Sequence, residues 1–214
     1  MGSDVTTVLC YGDSNTWGAD PNVSGGRHGY DDRWPTVAAA SLGERFRLIP
    51  EGLNGRTTVF DDPIEPWRNG LAYLRPCLVS HKPLDIVVIM LGTNDTKGRF
   101  AAPASDIAKG MGLLVHAVQT SGTGREGGAP KVGIVAPPHV REETGFGEQF
   151  HGARERSLGL AAEYRLIAEQ FNCAFLDAAD GVTCPIPDGI HLGVHEQRRL
   201  GQLIAAWIRE ELAG

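Results

Sequence analysis

The chain lacks the features that mark several classes of protein. Its four cysteines form no CxxC pair, and no run of basic residues occurs. Acidic side chains outnumber basic ones, and the formal net charge of -6 argues against nucleic acid or an anionic membrane as a partner. Neither a P-loop nor a Rossmann glycine fingerprint is found, so we expect no nucleotide or other cofactor.

Long hydrophobic runs are also missing. The longest strand-like apolar run covers residues 86–91, which is far too short to cross a bilayer. We expect no signal peptide, because the first strand-like run begins at Val5 and leaves no room for a basic and apolar leader. The cysteines are best explained as small buried hydrophobic residues with reduced thiols, and this predicts a cytoplasmic location.

Strand-like and helical patterns alternate along the chain. Its 214 residues suit one domain with a sizeable core, so we predict a single domain over residues 1–214. Several apolar runs are continuous, as expected for parallel strands that are covered on both faces. The predicted strands are residues 5–11, 46–51, 85–91, 131–136 and 174–176. Helical periodicity is clearest over residues 107–118, 160–171 and 200–212. This alternation predicts an α/β protein, a doubly wound sandwich with right-handed crossovers.

Three polar motifs stand where these elements end. A Gly-Asp-Ser turn follows the first predicted strand and ends in Ser14. A Gly-Thr-Asn-Asp turn containing Asn94 follows a central strand, and Asp188 and His191 lie three residues apart ahead of the last predicted helix. A serine, a histidine with its carboxylate and a polar amide are the groups that acyl transfer through a serine nucleophile requires.

Each motif alone has an ordinary explanation. A Gly-Asp-Ser turn is more often a plain turn, and an Asp-x-x-His pair usually caps a helix or lies at the surface. Their joint placement favours chemistry, because the carboxyl ends of parallel strands meet at the edge of the sheet where ligands bind. We therefore predict Ser14 as the nucleophile, His191 as its general base and Asp188 as the carboxylate that orients the imidazole.

The same motifs resemble those of the SGNH, or GDSL, hydrolases. The four marker residues of that superfamily are Ser, Gly, Asn and His, and the matching positions here are Ser14, Gly55, Asn94 and His191. Longer strings around residues 51–53, 61–63 and 91–97 resemble its arylesterase/acyltransferase branch, which includes carbohydrate acetylesterases. The resemblance spans residues 5–191 and fails over residues 121–157, a segment that we expect to shape substrate choice.

This resemblance implies a fold, an activity and an assembly. The implied fold is a three-layer α/β/α sandwich with a five-stranded parallel flavodoxin-like sheet. The implied activity is that of a cofactor-free serine esterase for short-chain acyl esters of sugars or aryl alcohols, in which either water or a competing alcohol releases the acyl group. The oxyanion would accept hydrogen bonds from the backbone N–H groups of Ser14 and Gly55 and from the Asn94 amide. Homo-oligomers, including octamers, are frequent in that branch, so we expect a homo-oligomer larger than a dimer here. An aromatic residue in a surface loop favours Trp67 as a contact residue, and a loop that folds back on the chain is the alternative.

Some residues near these motifs carry weaker expectations. Trp17 lies one helical turn after Ser14, where it is either a wall of the acyl pocket or a core aromatic. His195 follows His191 at a spacing that suits metal ligands, but no third ligand stands out and a metal would consume the base, so we expect no metal. Four residues are expected beside the substrate: Asp13, Trp17, Thr93 and Ile190.

Two other functions stay open from the sequence. A thioesterase or lysophospholipase on the same scaffold would prefer long acyl chains, whereas an acetylesterase would prefer short ones. A sugar-binding module without catalytic activity would keep the fold, but the complete set of serine, glycine, asparagine and Asp/His disfavours it. We expect a small-molecule ester as the ligand and neither nucleic acid nor a membrane as a partner.

Overall fold

One parallel sheet organises the chain in the computed structural model, which describes residues 5–141 and 145–213. Its five strands are β1 (Thr6–Gly12), β2 (Phe46–Gly52), β3 (Ile86–Met90), β4 (Lys131–Ala136) and β5 (Ala174–Asp177). They are ordered β2-β1-β3-β4-β5, and every neighbouring pair is parallel. This is the flavodoxin-like order, so the predicted sheet is confirmed.

Helices cover both faces of this sheet. They are α1 (Ser14–Trp17), α2 (Trp34–Leu42), α3 (Gly70–His81), α4 (Ala104–Gln119), α5 (Ala153–Phe171) and α6 (Val194–Trp207), and a π-helical turn (Ile208–Leu212) extends α6. Side chains of α3, α4 and α5 pack in one hydrophobic core, and those of α2 and α6 pack in a second. The architecture is the predicted three-layer α/β/α sandwich.

The strand β3 shows why the sheet lies between two cores. All five of its side chains are buried, and because successive side chains point to opposite faces, they divide between the two cores. Val87 and Ile89 belong to the core of α3, α4 and α5. Ile86, Val88 and Met90 belong to the core of α2 and α6. A continuous apolar run is therefore what a central strand of this sheet needs.

Each predicted strand agrees with the observed one to within one residue at either end. The three periodic segments fall in α4, α5 and α6, although the last continues into the π-helical turn. The sequence analysis did not identify α2 or α3. In α3, Pro76 lies inside the helix, and the apolar side chains of Tyr73 and Val79 are exposed, so buried and exposed positions do not separate by polarity.

Two features bear on the environment of the protein. Within residues 5–141 and 145–213, every helix is too short or too polar to span a bilayer. All four cysteines are free thiols, and three of them are buried.

Candidate active site

Ser14, His191 and Asp188 form one hydrogen-bonded series. The Ser14 Oγ lies 2.9 Å from Nε2 of His191, and Nδ1 of the same ring lies 2.6 Å from Oδ2 of Asp188. The other carboxylate oxygen, Oδ1, accepts hydrogen bonds at 2.8 Å from the backbone N–H groups of Ile190 and His191. Asp188 thus fixes the loop with one oxygen and the imidazole with the other. The three side chains predicted from separate motifs are brought together.

A tight turn between β1 and α1 presents the serine. Asp13 caps α1, because its Oδ1 accepts a hydrogen bond at 2.9 Å from the backbone N–H of Asn15. Gly12 leaves no room for a side chain, since a Cβ there would lie 2.1 Å from Oγ1 of Thr16 and 2.9 Å from a carbonyl oxygen of β3. Ser14 is therefore the first residue of a helix that starts directly at the end of a central strand.

The carboxylates around the serine differ in their electrostatic environment. Burial acts to raise the pKa of Asp188, but hydrogen bonds from the ring and backbone of His191 and from the backbone of Ile190 outweigh it, so its pKa lies below the usual range. Burial raises the pKa of Asp13 and of Asp95 to about 6. Asp188 is therefore the carboxylate that stays ionised beside an imidazole.

Three polar hydrogens point to an oxyanion site. In the described part of the chain, the backbone N–H groups of Ser14 and Gly55 have no hydrogen-bond acceptor. The Asn94 side chain donates one N–H hydrogen of Nδ2 to the Arg56 carbonyl at 3.1 Å, which leaves the second hydrogen for a ligand. Gly55 has a φ of +78°, a left-handed conformation that favours glycine. All three residues line the same pocket.

The pocket above the serine has a volume of about 430 Å³, within the usual range for small-ligand sites. Residues 19–26 and Ile190 supply part of its wall. Phe146 and Phe150, which lie in the 121–157 segment, supply another part, and the Phe146 ring meets the His191 ring edge-on at a centroid distance of 5.6 Å. Residues 142–144 of that segment lie outside the described residues.

The four residues expected beside the substrate are placed differently. Ile190 lines the pocket, whereas Asp13 and Thr93 are buried outside its lining, at 1% and 2% exposure. Trp17 also lies outside the lining, and its ring faces the Arg27 guanidinium at 4.4 Å. Their roles in substrate binding stay predictions.

The sequence analysis missed a buried amide next to Ser14. Asn15 donates from Nδ2 to the Ile190 carbonyl at 3.1 Å, and its Oδ1 accepts from the Leu192 N–H at 2.9 Å. These two hydrogen bonds fix the backbone on either side of His191. Gln197 of α6 adds a bond at 2.9 Å from its side-chain amide to the Asn15 carbonyl. No spacing rule reveals this contact, because its partners are about 175 positions away in the chain.

The side chains that could bind a metal ion lie away from this pocket. Among the described residues, one group of three side chains could hold a metal ion, namely Glu51, Cys77 and His81. None of them lines the pocket, and His81 Nε2 already lies 2.7 Å from a Glu51 carboxylate oxygen. His195, which has metal-like spacing from His191, is exposed and lies 3.1 Å from Glu196.

Comparisons with known proteins agree with this geometry. The model of the GDSL-like Lipase/Acylhydrolase family matches residues 10–198. Est24, a carbohydrate acetylesterase from Sinorhizobium meliloti, is 42% identical at a TM-score of 0.91, over 95% of this chain and 98% of that one. The native aryl esterase of M. smegmatis is 42% identical at a TM-score of 0.92, over 97% of this chain and 100% of that one. A putative arylesterase from Agrobacterium tumefaciens str. C58 is 41% identical at a TM-score of 0.90, over 97% and 100%. No curated protein matches the chain.

Proposed function

This chain belongs to the GDSL-like lipase/acylhydrolase family, and we propose that it is an SGNH serine esterase whose nucleophile is Ser14. The observation that carries the proposal is the hydrogen-bonded series from Ser14 Oγ through the His191 ring to Asp188 at the base of an open pocket. A free serine hydroxyl is a poor nucleophile at neutral pH, and an imidazole within hydrogen-bond reach supplies the base that it needs.

Acylation begins when Ser14 Oγ attacks the ester carbonyl carbon and His191 Nε2 takes the hydroxyl proton. The resulting imidazolium is stabilised by Asp188, which stays ionised and holds Nδ1–H in place. The carbonyl oxygen becomes an oxyanion and accepts hydrogen bonds from Ser14 N–H, Gly55 N–H and the Asn94 amide. His191 then returns its proton to the alcohol oxygen as the C–O bond breaks, which leaves the acyl group on Ser14.

Deacylation repeats these steps with water. The water oxygen attacks the carbonyl carbon of the acyl-enzyme while His191 takes a proton from the water. The N–H groups of Ser14 and Gly55 and the Asn94 amide again donate hydrogen bonds to the oxyanion. The carbonyl re-forms, the Ser14 oxygen leaves and accepts the proton from His191, and the carboxylic acid is released. An alcohol in place of water would give acyl transfer by the same route.

We propose short-chain esters, in particular acetylated sugars and aryl acetates, as the substrates. Solved relatives at about 42% identity are named a carbohydrate acetylesterase and an aryl esterase. The pocket adds support, because it joins polar groups with two aromatic side chains. Asn22, Asn54 and Gln149 offer hydrogen bonds to sugar hydroxyls, and Phe146 and Phe150 offer apolar surface to an aryl ring or a sugar face.

Two further properties belong to this proposal. A homo-oligomer is supported by the loop between β2 and α3, where Trp67 is 88% exposed and Ile64 is 71% exposed. We also propose a single domain over residues 1–214 and a cytoplasmic location, which the four free thiols support. Residues 1–4 and 214 lie outside the described residues.

Covalent labelling tests the nucleophile directly. A fluorophosphonate should form one adduct per chain, and peptide mapping should place it on Ser14. Ser14→Ala should fold normally, take up no label and lose turnover. An adduct on another residue, or full activity in Ser14→Ala, would refute the proposed site.

Substrate class is tested with a series of p-nitrophenyl esters from acetate to palmitate, beside acetylated xylose. We expect kcat/KM to be highest for acyl groups of two to four carbons. A maximum at long acyl chains would instead favour a thioesterase or lysophospholipase.

A further inference from the structure

One buried charge beside the pocket has no part in the triad. Arg56 directly follows Gly55 and is only 2% exposed, although arginine is rarely buried without an ionised partner. Its partners among the described residues are carbonyl oxygens and aromatic rings rather than a carboxylate. The interior therefore holds a positive charge that no contacting counter-ion neutralises.

The guanidinium joins the ends of two neighbouring strands. Its Nη1 donates to the carbonyl of Gly12 at 2.8 Å and also to the carbonyl of Glu51. Gly12 is the last residue of β1 and Glu51 the next-to-last residue of β2, and the two strands run side by side with Tyr11 opposite Glu51. The guanidinium also lies 4.2 Å from the centre of the Tyr11 ring, and this cation–π contact restricts its position.

The main chain of Arg56 contacts the oxyanion donors. Its carbonyl accepts the hydrogen bond from Asn94 Nδ2 at 3.1 Å. Its N–H donates to the Leu53 carbonyl at 3.1 Å and so closes the turn that contains Gly55. Ser14 lies two residues after Gly12, which the guanidinium holds. One residue therefore links the three segments that carry the three proposed donors.

The charge of Arg56 acts in the same region. Burial raises the pKa of Asp13 to about 6, and the positive charge of Arg56 is among the influences that oppose this rise. The field of the guanidinium thus reaches the residue next to the nucleophile. A fixed positive charge favours an anion that forms nearby.

We infer that Arg56 is a positioning residue for the esterase reaction. It holds the ends of β1 and β2 and the Asn94 amide in one arrangement, and its charge favours the anionic transition state. This inference rests on the proposed function, because it concerns the oxyanion of that reaction.

Two substitutions separate geometry from charge. Arg56→Lys keeps the positive charge but loses the planar fork of donors, and Arg56→Met loses both. We expect kcat for p-nitrophenyl acetate to fall about 10-fold in the lysine variant and about 100-fold in the methionine variant, with KM within about twofold of the wild type. Arg47 is an exposed arginine on β2 and provides the control. Arg47→Met should leave kcat and KM unchanged.

A transition-state analogue gives a readout that a loosened fold would not move in the same way. A phenylboronic acid adduct on Ser14 is tetrahedral and negatively charged, so its Ki should rise in proportion to the loss of kcat across the two variants. Circular dichroism and thermal melting identify a variant that does not fold. If Arg56→Met does not fold, the lysine variant decides the question alone.

Wild-type kcat in the folded methionine variant, or a raised KM with unchanged kcat, would overturn the role of Arg56. Wild-type kcat in the lysine variant would do so if that variant is the only one that folds. Labelling of Ser14 by a fluorophosphonate tells this failure from a failure of the proposed function. Labelled wild-type enzyme with unaffected Arg56 variants removes only the present inference, whereas absent labelling removes the esterase mechanism itself.

Discussion

Single carboxylates near Ser14 differ in what burial does to them. Asp188 has an imidazole and two backbone N–H groups as partners, and these hold its pKa low despite burial. Asp95 is fully buried, and its Oδ1 accepts bonds from the backbone N–H and the hydroxyl of Thr58. Its Oδ2 has no hydrogen-bond partner among the described residues. An ionised Asp95 therefore carries an uncompensated cost, which the raised pKa of about 6 expresses.

Asp95→Asn should change the pH dependence of stability. The folded-state pKa of about 6 exceeds the ordinary value of 3.8, so the folded state binds more protons than the unfolded state between these values. The contribution of Asp95 to the free energy of unfolding is therefore fully present below pH 3.8 and is lost as the pH rises to about 6. Asparagine stays neutral, so we expect the variant to gain up to ~3 kcal/mol above pH 6, at about 1.4 kcal/mol per pKa unit.

Denaturant unfolding of both proteins at pH 4 and pH 7.5 measures this difference. The two free energies of unfolding should agree more closely at pH 4 than at pH 7.5. An equal difference at both pH values would mean that folding does not raise the pKa of Asp95.

The family name GDSL is the one-letter spelling of the motif Gly-Asp-Ser-Leu. Asn15 stands in this chain at the position of the leucine. Asn15→Leu would remove both bonds that grip the loop of His191 and would leave the Leu192 N–H buried without an acceptor. We expect the free energy of unfolding to fall by about 1–3 kcal/mol. Because the loop carries His191, the proposed general base, kcat should fall several-fold while KM is retained.

Urea titration and steady-state kinetics check this prediction. Gln202→Leu serves as the control, since Gln202 is an exposed amide on α6 that makes neither of these bonds to the described residues. A leucine variant with wild-type stability and kcat would show that the family's usual residue serves equally well in this chain.

The sequence allowed Ser14, Asp188 and His191 to be predicted as a triad because each lies in a short motif at the end of an element, and the structure places the three side chains in one hydrogen-bonded series. Asn15 and Arg56 were not identified as site residues, although both stand beside marker residues. Their function depends on carbonyl and N–H groups of distant segments, such as Ile190 for Asn15 and Gly12 for Arg56. Contacts between a side chain and distant backbone leave no pattern in the sequence.

At the scale of elements, the strands were predictable because burial on both faces requires continuous apolar runs. The helices α4, α5 and α6 were predictable because each buries one stripe. By contrast, α3 directly follows the loop that contains Trp67, and Pro76 inside the helix interrupts the apolar periodicity of α3. The sequence therefore indicated the sheet and half of the helices, and tertiary packing decided the rest.

Phe146 lies between β4 and α5, in the 121–157 segment that we expect to shape substrate choice. Its ring contacts His191 edge-on and lines the pocket. Phe146→Ala should widen the pocket and relax the discrimination against longer acyl chains, since a few methylenes in a close-fitting pocket are worth ~10-fold or more. We expect the ratio of kcat/KM for the octanoate ester to that for the acetate ester to rise about 10-fold. Leu166→Ala, an exposed residue of α5, should leave the ratio unchanged. An unchanged ratio in Phe146→Ala would place the acyl group elsewhere in the pocket.

At the scale of the whole molecule, the loop between β2 and α3 connects the surface with the site. Trp67 is 88% exposed and Ile64 is 71% exposed, whereas Glu65 between them lines the pocket. Trp67 also has a φ of +67°, a left-handed conformation that is uncommon for a bulky side chain. An exposed aromatic residue held in an unfavourable conformation suits a contact with another protein surface.

A second copy of this chain is the partner that we propose for this loop, and light scattering should give a mass larger than that of a dimer. Trp67→Lys should lower this mass, because a charge at a buried contact lacks a partner and its desolvation is costly.

Since Glu65 borders the pocket, a neighbouring subunit at this loop would narrow the pocket entrance. The dissociated variant should therefore hydrolyse long-chain esters better, relative to acetate, than the assembled wild type does. Tyr30→Lys, which changes another exposed aromatic residue, should leave the mass unaltered. A monomeric wild type would contradict the assembly. An unchanged acyl preference in a dissociated Trp67→Lys variant would show that the subunit contact leaves the entrance open.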